Sequence, residues 1–168
     1  MKKLISKIAS VVMAFTLITG VCAGCKSDKS DEAESTAELP SYTSVTDESG
    51  NLPVNGTVGD MEYRIMGEDE YGCYNKPRGY YYDQLEQLDS PLFIVISAGT
   101  QTRTGGELKI TDLGMQGSKL VIVVEETEAD GEEYDGLDCP CAVLELNDGP
   151  EELLIVSTTG EEFGCITP

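Results

Sequence analysis

The sequence predicts a mainly β fold, namely a small antiparallel sandwich or partly open barrel with one short helix, preceded by a signal peptide and a disordered linker. Two observations predict it. Several short apolar segments rich in β-branched residues follow one another at close spacing, and turn residues such as those of Asn147–Pro150 separate them. The folded part is expected to span residues 60–168, close to the common size of one domain.

The first 24 residues have the composition of a bacterial lipoprotein signal peptide. Lys2, Lys3 and Lys7 form a charged N-terminal region. The stretch Leu4–Val21 is mostly apolar, and its length and flanks do not fit a membrane span. Ala23 and Gly24 then precede Cys25, the arrangement at which such signals are cleaved and the cysteine is lipidated. We therefore predict lipid attachment at Cys25 and a location at the bacterial cell surface, anchored to the outer face of the membrane. The alternative is a plain secretory signal in which Cys22 and Cys25 are incidental.

Residues 25–59 are predicted to hold the lipidated cysteine and a disordered acidic, Ser/Thr-rich linker, because their scattered apolar side chains cannot offset the entropy of ordering. The whole chain has a formal charge of −20, and the eight basic and 31 acidic residues that follow the signal peptide give −23. Such a charge repels nucleic acid and anionic membrane surfaces. The chain has no His, which removes the usual general base and the commonest metal ligand. We predict no enzymatic activity, no cofactor and no metal site.

Most elements of the folded part are predicted to be strands, because their residues are either continuously apolar or alternate between apolar and polar. One segment instead has its apolar residues at helical spacing. That segment is Tyr80–Asp89, where Tyr82, Leu85 and Leu88 recur at the spacing of a helix face. The predicted strands are Met61–Met66, Leu92–Ser97, Glu107–Leu113, Lys119–Glu126, Cys141–Leu146, Leu153–Ser157 and a short last one at Glu162–Ile166.

Two connections are expected between these strands. Gly114–Ser118 is predicted to be a turn. The acidic stretch Glu125–Asp138 lacks the ligand spacing of an EF-hand and is predicted to be a solvated, mobile loop, with calcium binding left open.

Four cysteines follow Cys25, and an even number in an exported chain indicates two disulfides. In the motif Cys139-Pro140-Cys141 the two cysteines are expected on the same face of extended chain, where a bridge between them requires a local kink. We therefore predict that Cys73 and Cys165 each bond to one member of the pair, in an order that stays open. A redox dithiol at Cys139 and Cys141 is the alternative, although no helix N-terminus or base is expected beside it.

The stretch Ser97–Ile110 is longer than a hairpin turn needs to be. Its glycines permit backbone angles that other residues avoid, and its threonine hydroxyls are suited to hydrogen bonds with local amides. Neither a helix N-terminus nor a Lys-Ser/Thr pair follows it, so the pattern does not predict a phosphate site. We predict a presented recognition loop on a rigid scaffold. The candidate partner-binding residues are Gln101, Thr102, Arg103, Thr104, Gly105 and Gly106.

The order of elements from Leu92 to Val156 resembles the C-terminal domain of PrcB-like proteins, which are bacterial lipoproteins named for a subunit that stabilises a surface protease complex. Thr104–Gly106 match the Pro-Thr-Gly-Gly-Tyr motif of that family, with Arg103 in place of its Pro and Glu107 in place of its Tyr. Pro140 matches its Tyr-Pro-Tyr motif, with cysteines in place of the aromatic residues. The resemblance implies a non-enzymatic protein that binds a protein partner, a protease among the candidates, and stabilises or modulates it.

The same loop is more loosely similar to the Thr-Thr-Gly-Tyr loop of chagasin-like cysteine-protease inhibitors. That similarity implies an alternative function, in which Gln101–Gly106 enters the active-site cleft of a protease and inhibits it. A thiol–disulfide redox protein that uses Cys139 and Cys141 is the third class of function that the sequence leaves open.

Overall fold

The structure is a computed structural model that describes residues 39–67, 70–84 and 90–167. Within these ranges all regular elements are strands, and there is no helix. The strands are β1 (Thr43–Ser44), β2 (Asn55–Val58), β3 (Met61–Ile65), β4 (Gly79–Gln84), β5 (Leu92–Ser97), β6 (Gln101–Arg103), β7 (Glu107–Gln116), β8 (Lys119–Thr127), β9 (Glu133–Asp138), β10 (Cys141–Leu146) and β11 (Glu152–Ser157).

The strands form two sheets and a separate ribbon. The four-stranded sheet has the order β1-β7-β8-β11, and the five-stranded sheet has the order β2-β3-β10-β5-β4. The third unit, which we call the ribbon, consists of β6 and β9 paired with each other. The described residues form no closed barrel, so the prediction of a mainly β fold is confirmed in its sandwich form.

The main core contains side chains from both large sheets. Alternate residues of β8 point into it, and Leu120, Ile122 and Val124 are fully buried there. The five-stranded sheet contributes the fully buried Ile94 and Leu144, among others, to the same cluster. Since burial of a large aliphatic side chain contributes roughly 1.5–3 kcal/mol, this shared layer is what holds the sheets together.

Both large sheets also carry buried apolar residues on their outer faces. On the four-stranded sheet Val121, Val123 and Val156 form one such cluster, partly covered by Tyr42 and Leu154. The alternate positions of these strands therefore face two apolar environments, which explains why β8 reads as a continuous apolar run rather than as an alternating one.

One pairing differs from the predicted antiparallel arrangement. β11 runs parallel to β8, with Leu153 opposite Leu120 and Ser157 opposite Val124. A parallel neighbour requires a long crossover, and here β9 and β10 lie between the two strands in the sequence. The other strand pairs of the two sheets are antiparallel.

The prediction of a helix at Tyr80–Asp89 is wrong for its first half. Tyr80–Gln84 belong to β4, which pairs with β5 from Gly79 opposite Ser97 to Gln84 opposite Leu92. Tyr81 is buried on the outer face of this sheet, whereas Tyr82 is 40% exposed. Aromatic residues fit a pleated, half-buried surface, and that preference prevails over the helical spacing. Leu85 and Leu88 lie outside the described residues.

The predicted linker, residues 25–59, also extends too far along the chain. Residues 39–59 contribute β1 and β2, and Val58 is fully buried in the main core. The carboxylate of Asp112 accepts hydrogen bonds from the Tyr42 hydroxyl at 2.7 Å and from the Ser44 hydroxyl at 2.6 Å. Polar side chains thus hold a polar segment in place, which composition alone does not reveal.

The boundaries of the central strands agree well with the sequence. Leu92–Ser97 and Cys141–Leu146 are strands over their whole predicted length. The predicted turn at Gly114–Ser118 is wrong in part, because β7 continues to Gln116. The predicted last strand at Glu162–Ile166 is present only as two isolated bridges, Val156 with Glu162 and Tyr80 with Cys165.

Candidate functional site

The predicted recognition loop is half strand and half turn. Gln101–Arg103 form β6, which pairs with β9, and Thr104–Gly106 then lead into β7. The expectation of a mobile loop at Glu125–Asp138 is therefore wrong for residues 125–127, which end β8, and for residues 133–138, which form β9. The guanidinium of Arg103 lies 3.9 Å from a carboxylate oxygen of Glu133, and both side chains are more than half exposed.

The turn at the end of the ribbon is held by backbone contacts and by close packing on glycines. The Thr104 nitrogen donates to the Glu132 carbonyl at 3.2 Å, and the Gly131 nitrogen donates to the Thr104 carbonyl at 2.9 Å. A Cβ atom on Gly131 would lie only 2.6 Å from that same carbonyl oxygen. Glycine is therefore required where the two strands of the ribbon approach each other.

The side chain of Gln101 fills the inside of the loop. Its amide packs so closely on Gly106 that a Cβ atom at that position would overlap the Gln101 Oε1 atom. The same Oε1 atom is buried and has no hydrogen-bond donor within the described part of the chain. Gly105 has a φ of 92°, in the region that favours glycine. The loop is thus packed on itself within the chain.

A second group of predicted residues lies on the outer face of the five-stranded sheet. Cys141 is the first residue of β10 and shares the face of Val143, while Cys139 precedes Pro140 two positions earlier. Residues 70–78 lie over this face: the Tyr71 ring packs on Phe93 with centroids 5.4 Å apart, and its hydroxyl donates to Asp83. This covering segment brings Cys73 to the Cys-Pro-Cys motif.

The sulfur atom of Cys73 lies 2.8 Å from that of Cys139, and its thiol also forms a side-chain hydrogen bond with Cys141. Cys139 is buried, and its sulfur is 3.4 Å from the hydroxyl oxygen of the fully buried Ser97. All four cysteines beyond residue 38 are thiols in the structure. The expected proximity of Cys73 to the pair is present, although no bond is formed.

The predicted bridge from Cys165 to Cys139 or Cys141 does not fit the structure. Cys165 is exposed and pairs with Tyr80 at the outer edge of β4. Two further strands separate that edge from β10, so the Cα atoms of Cys165 and Cys141 are roughly 14 Å apart, three strand spacings. A disulfide requires Cα atoms within about 7 Å, so this half of the predicted connectivity is wrong.

The electrostatics of the cluster favour neutral groups. The hydrogen bond with Cys141, burial, and the hydrogen bond with Cys139, in that order, raise the pKa of the Cys73 thiol far above its ordinary value. Burial, followed by the neighbouring Cys73 and Asp83, raises the pKa of Tyr81 to about 12. A thiol with a raised pKa forms little thiolate near neutral pH, which is unlike an activated nucleophile.

One pocket joins the two groups. It has a volume of about 370 Å³ and lies between the Thr-Gly-Gly turn and the Cys-Pro-Cys motif. All three clustered cysteines line it, and the carboxylate residues Glu107 and Asp138 line it as well. The sequence indicated both motifs but did not predict that they lie next to each other. Tyr71 and Cys73, which also line the pocket, belong to the connection between β3 and β4, and that connection has no strand periodicity.

Other predicted features lie outside the described residues. Cys25 and the signal peptide are among them. In the described ranges, no helix is long and apolar enough to cross a bilayer.

Comparisons of this chain with protein-family models, with curated proteins and with solved structures found no match.

Proposed function

We propose that this chain is a non-enzymatic, lipid-anchored extracytoplasmic protein that binds a protein partner and stabilises or modulates it. The observation that carries the proposal is the ribbon with its turn, since among the described strands β6 and β9 pair with each other and with no strand of the two large sheets. Thr102–Gly105 are exposed there, next to a pocket. A recognition segment presented from a rigid sandwich is a common arrangement in binding proteins.

The charge of the surface restricts the partner. The chain carries 31 acidic residues against 11 basic ones, and several of the acidic residues lie on or beside the ribbon. Complementary potentials favour association with a positively charged protein surface and accelerate the encounter. The resemblance to PrcB-like domains points to a surface protease as the class of partner, with the lipid on Cys25 keeping the two on the same membrane.

Site-specific photo-crosslinking on native membranes tests this function. One variant carries a photoreactive residue at Thr102 on the ribbon, and a matched control carries it at Glu151, an exposed position in the turn between β10 and β11. We expect the same protein to be captured through Thr102 at low salt, less of it at high salt, and none through Glu151. Equal capture at both positions, or none at either, would contradict the proposal.

A protease inhibitor is the second candidate, and the internal packing of the loop favours it. The packing of Gln101 on Gly106 fixes the loop before binding, and so do the contacts between Thr104 and Gly131. A loop that is already fixed loses little conformational entropy when it enters a cleft. Titration of the chain against cysteine and serine proteases separates the two functions. Inhibition that Thr104→Ala or Gly105→Ala abolishes would establish the inhibitor, whereas full protease activity throughout would exclude it.

A catalytic thiol–disulfide oxidoreductase has less support. Such enzymes depend on a thiol with a lowered pKa. Cys73, which contacts both Cys139 and Cys141, has a pKa raised by its hydrogen bond with Cys141, by burial and by its hydrogen bond with Cys139. An insulin-reduction assay tests this class of function directly. Catalytic turnover that depends on Cys139 and Cys141 would support an oxidoreductase.

A further inference from the structure

Three cysteine sulfur atoms lie together, and that of Cys73 is the one in contact with the other two. Cys73 contacts both Cys139 and Cys141, while the last two are separated by Pro140 along extended chain. A sulfur atom forms only one disulfide, so oxidation within this cluster always leaves one thiol over. Cys139 is the most buried of the three, and Cys73 and Cys141 are half-buried. The contact at 2.8 Å thus favours a protected Cys73–Cys139 bridge, with Cys141 remaining.

We propose that this cluster is a thiol–disulfide exchange site for low-molecular-weight disulfides: oxidation joins Cys73 to Cys139, and Cys141 then carries a small thiol as a mixed disulfide in the pocket. The pocket is the second observation behind this inference. It is lined by all three cysteines, and its volume of about 370 Å³ suits a small molecule. The proposal does not depend on the identity of a protein partner.

The chemistry balances with a small disulfide, RSSR, as the oxidant. The thiolate of Cys73 attacks one sulfur of RSSR, forms a mixed disulfide and releases one RS⁻, which takes up the proton that Cys73 lost. The thiolate of Cys139 then attacks the Cys73 sulfur and expels the second RS⁻, which is protonated in turn. Two protein thiols have lost two electrons, and RSSR has become two RSH.

A second RSSR modifies the remaining cysteine. The Cys141 thiolate attacks it, which forms Cys141–S–S–R and releases one RSH. Both steps require a thiolate, and the raised pKa of Cys73 makes the first step slow near neutral pH. Once the Cys73–Cys139 bridge and the Cys141 adduct have formed, all three cluster thiols are consumed, so the site reacts once per chain, as a modification site does.

The charge of the pocket selects among disulfides. Glu107 and Asp138 line it, and its lining includes no Lys or Arg. The Glu107 carboxylate is paired with the ammonium of Lys109, and the ammonium of Lys76 lies 5.0 Å from the centroid of the Tyr81 ring. The negative charge of Asp138 is what favours a ligand with amino groups and opposes one with carboxylates. Cystamine, a dication, and dithiodiglycolate, a dianion of similar length, are therefore opposed probes of the same reaction.

The experiment uses the full chain with Cys22→Ser and Cys25→Ser, which keeps the cluster and retains Cys165 as an exposed reference thiol. The chain is reduced with a phosphine, freed of the reductant and treated with either probe, and non-reducing peptide mapping locates each bridge and adduct. We expect a Cys73–Cys139 bridge and an adduct on Cys141. The rate ratio of cystamine to dithiodiglycolate should be roughly tenfold higher at Cys141 than at Cys165.

Salt and denaturant supply the controls. Added salt should reduce the preference at Cys141, and the two cysteines should behave alike in concentrated urea. The variant Cys141→Ser should keep the bridge and lose only the adduct, while Cys165→Ser should change neither. A Cys139–Cys141 or Cys73–Cys141 bridge, cluster thiols that stay unreacted after prolonged treatment with excess cystamine, or the same preference at Cys141 and Cys165 in the folded chain would overturn the proposal.

Discussion

Gly131 shows how one missing Cβ atom determines the shape of the candidate site. Its backbone lies against Thr104, where a Cβ atom would be 2.3 Å from the hydroxyl oxygen and 2.6 Å from the carbonyl oxygen. The hydroxyl has room to rotate away, but the carbonyl belongs to the backbone of the turn. The fixed loop geometry therefore depends on this glycine more than on the exposed threonines.

Gly131→Ala is expected to destabilise the chain by about 1–3 kcal/mol, since overpacking forces the backbone to shift. The matched control is Gly164→Ala, because an added Cβ atom there meets nothing within 4 Å. Urea unfolding of both variants measures the difference, and the control should stay within about 0.5 kcal/mol of the parent. Equal stability of the two variants would show that the ribbon does not close at Thr104.

Tyr81, on the buried outer face of the five-stranded sheet, makes the stability of the chain depend on pH. Its pKa is raised to about 12, first by burial, so the folded chain favours the neutral phenol more than the unfolded chain does. Its contribution to stability is complete below about pH 10 and is lost as the pH rises through the folded value. Tyr81→Phe keeps the ring and removes the ionisation, so its free energy of unfolding should fall less between about pH 8 and pH 11 than that of the parent.

The control for this titration is Tyr74→Phe, because the Tyr74 side chain is 73% exposed. It should retain the alkaline loss of stability seen in the parent. Urea unfolding at both pH values provides the comparison. A loss that is identical in the parent, Tyr81→Phe and Tyr74→Phe would place the alkaline sensitivity at other groups.

At the scale of elements, the sequence predicts the strands that are apolar on both faces and misses those held by polar contacts. Leu92–Ser97 and Cys141–Leu146 were found at their full length because both of their faces are buried. β1 and β2 contain Thr43–Ser44 and Asn55–Val58, whose mostly exposed polar residues have the composition of a linker. What orders them is pairing with distant strands, which the local sequence does not contain.

β1 is held on β7 by backbone pairing and by the Asp112 carboxylate, and the contribution of the carboxylate can be measured. Asp112 follows an irregularity in β7 and accepts the hydroxyl groups of both Tyr42 and Ser44. Asp112→Ala should release β1, which we expect to appear as faster amide exchange at residues 43–45 with the main core still protected. Asp60→Ala, in the exposed turn between β2 and β3, is the control and should leave that exchange unchanged. Unaltered exchange in Asp112→Ala would show that backbone pairing alone holds β1.

The site was predicted only in pieces, for a related reason. The Thr-Gly-Gly and Cys-Pro-Cys motifs are visible locally, but Cys73 and Cys139, whose contact joins them, are 66 positions apart in the sequence. Cys165 was assigned to the same cluster from the even number of cysteines, whereas strand order puts it at the far edge of β4. Cysteine number indicates that pairs can form, and only the order of strands determines which ones are close enough.

At the scale of the whole molecule, the dominant property is the formal charge of −20. Like charges repel one another more strongly in the compact chain than in the unfolded one, so the charge opposes folding. Salt screens this repulsion over a Debye length of about 30 Å at 0.01 M and about 10 Å at 0.1 M. We therefore expect the unfolding temperature to rise with added NaCl between these concentrations, as measured by circular dichroism.

Two substitutions at one exposed position separate charge from any specific effect of the ions. Glu151 lies in the turn after β10 and is exposed, so neither change removes a buried contact. Glu151→Lys removes two units of negative charge and Glu151→Gln removes one, so the unfolding temperature at low salt should rise in the order parent, Glu151→Gln, Glu151→Lys. The three curves should converge as salt is added, because screening makes the substituted charge irrelevant. A gap that persists at high salt would mean that the turn itself, rather than the charge of the molecule, was altered.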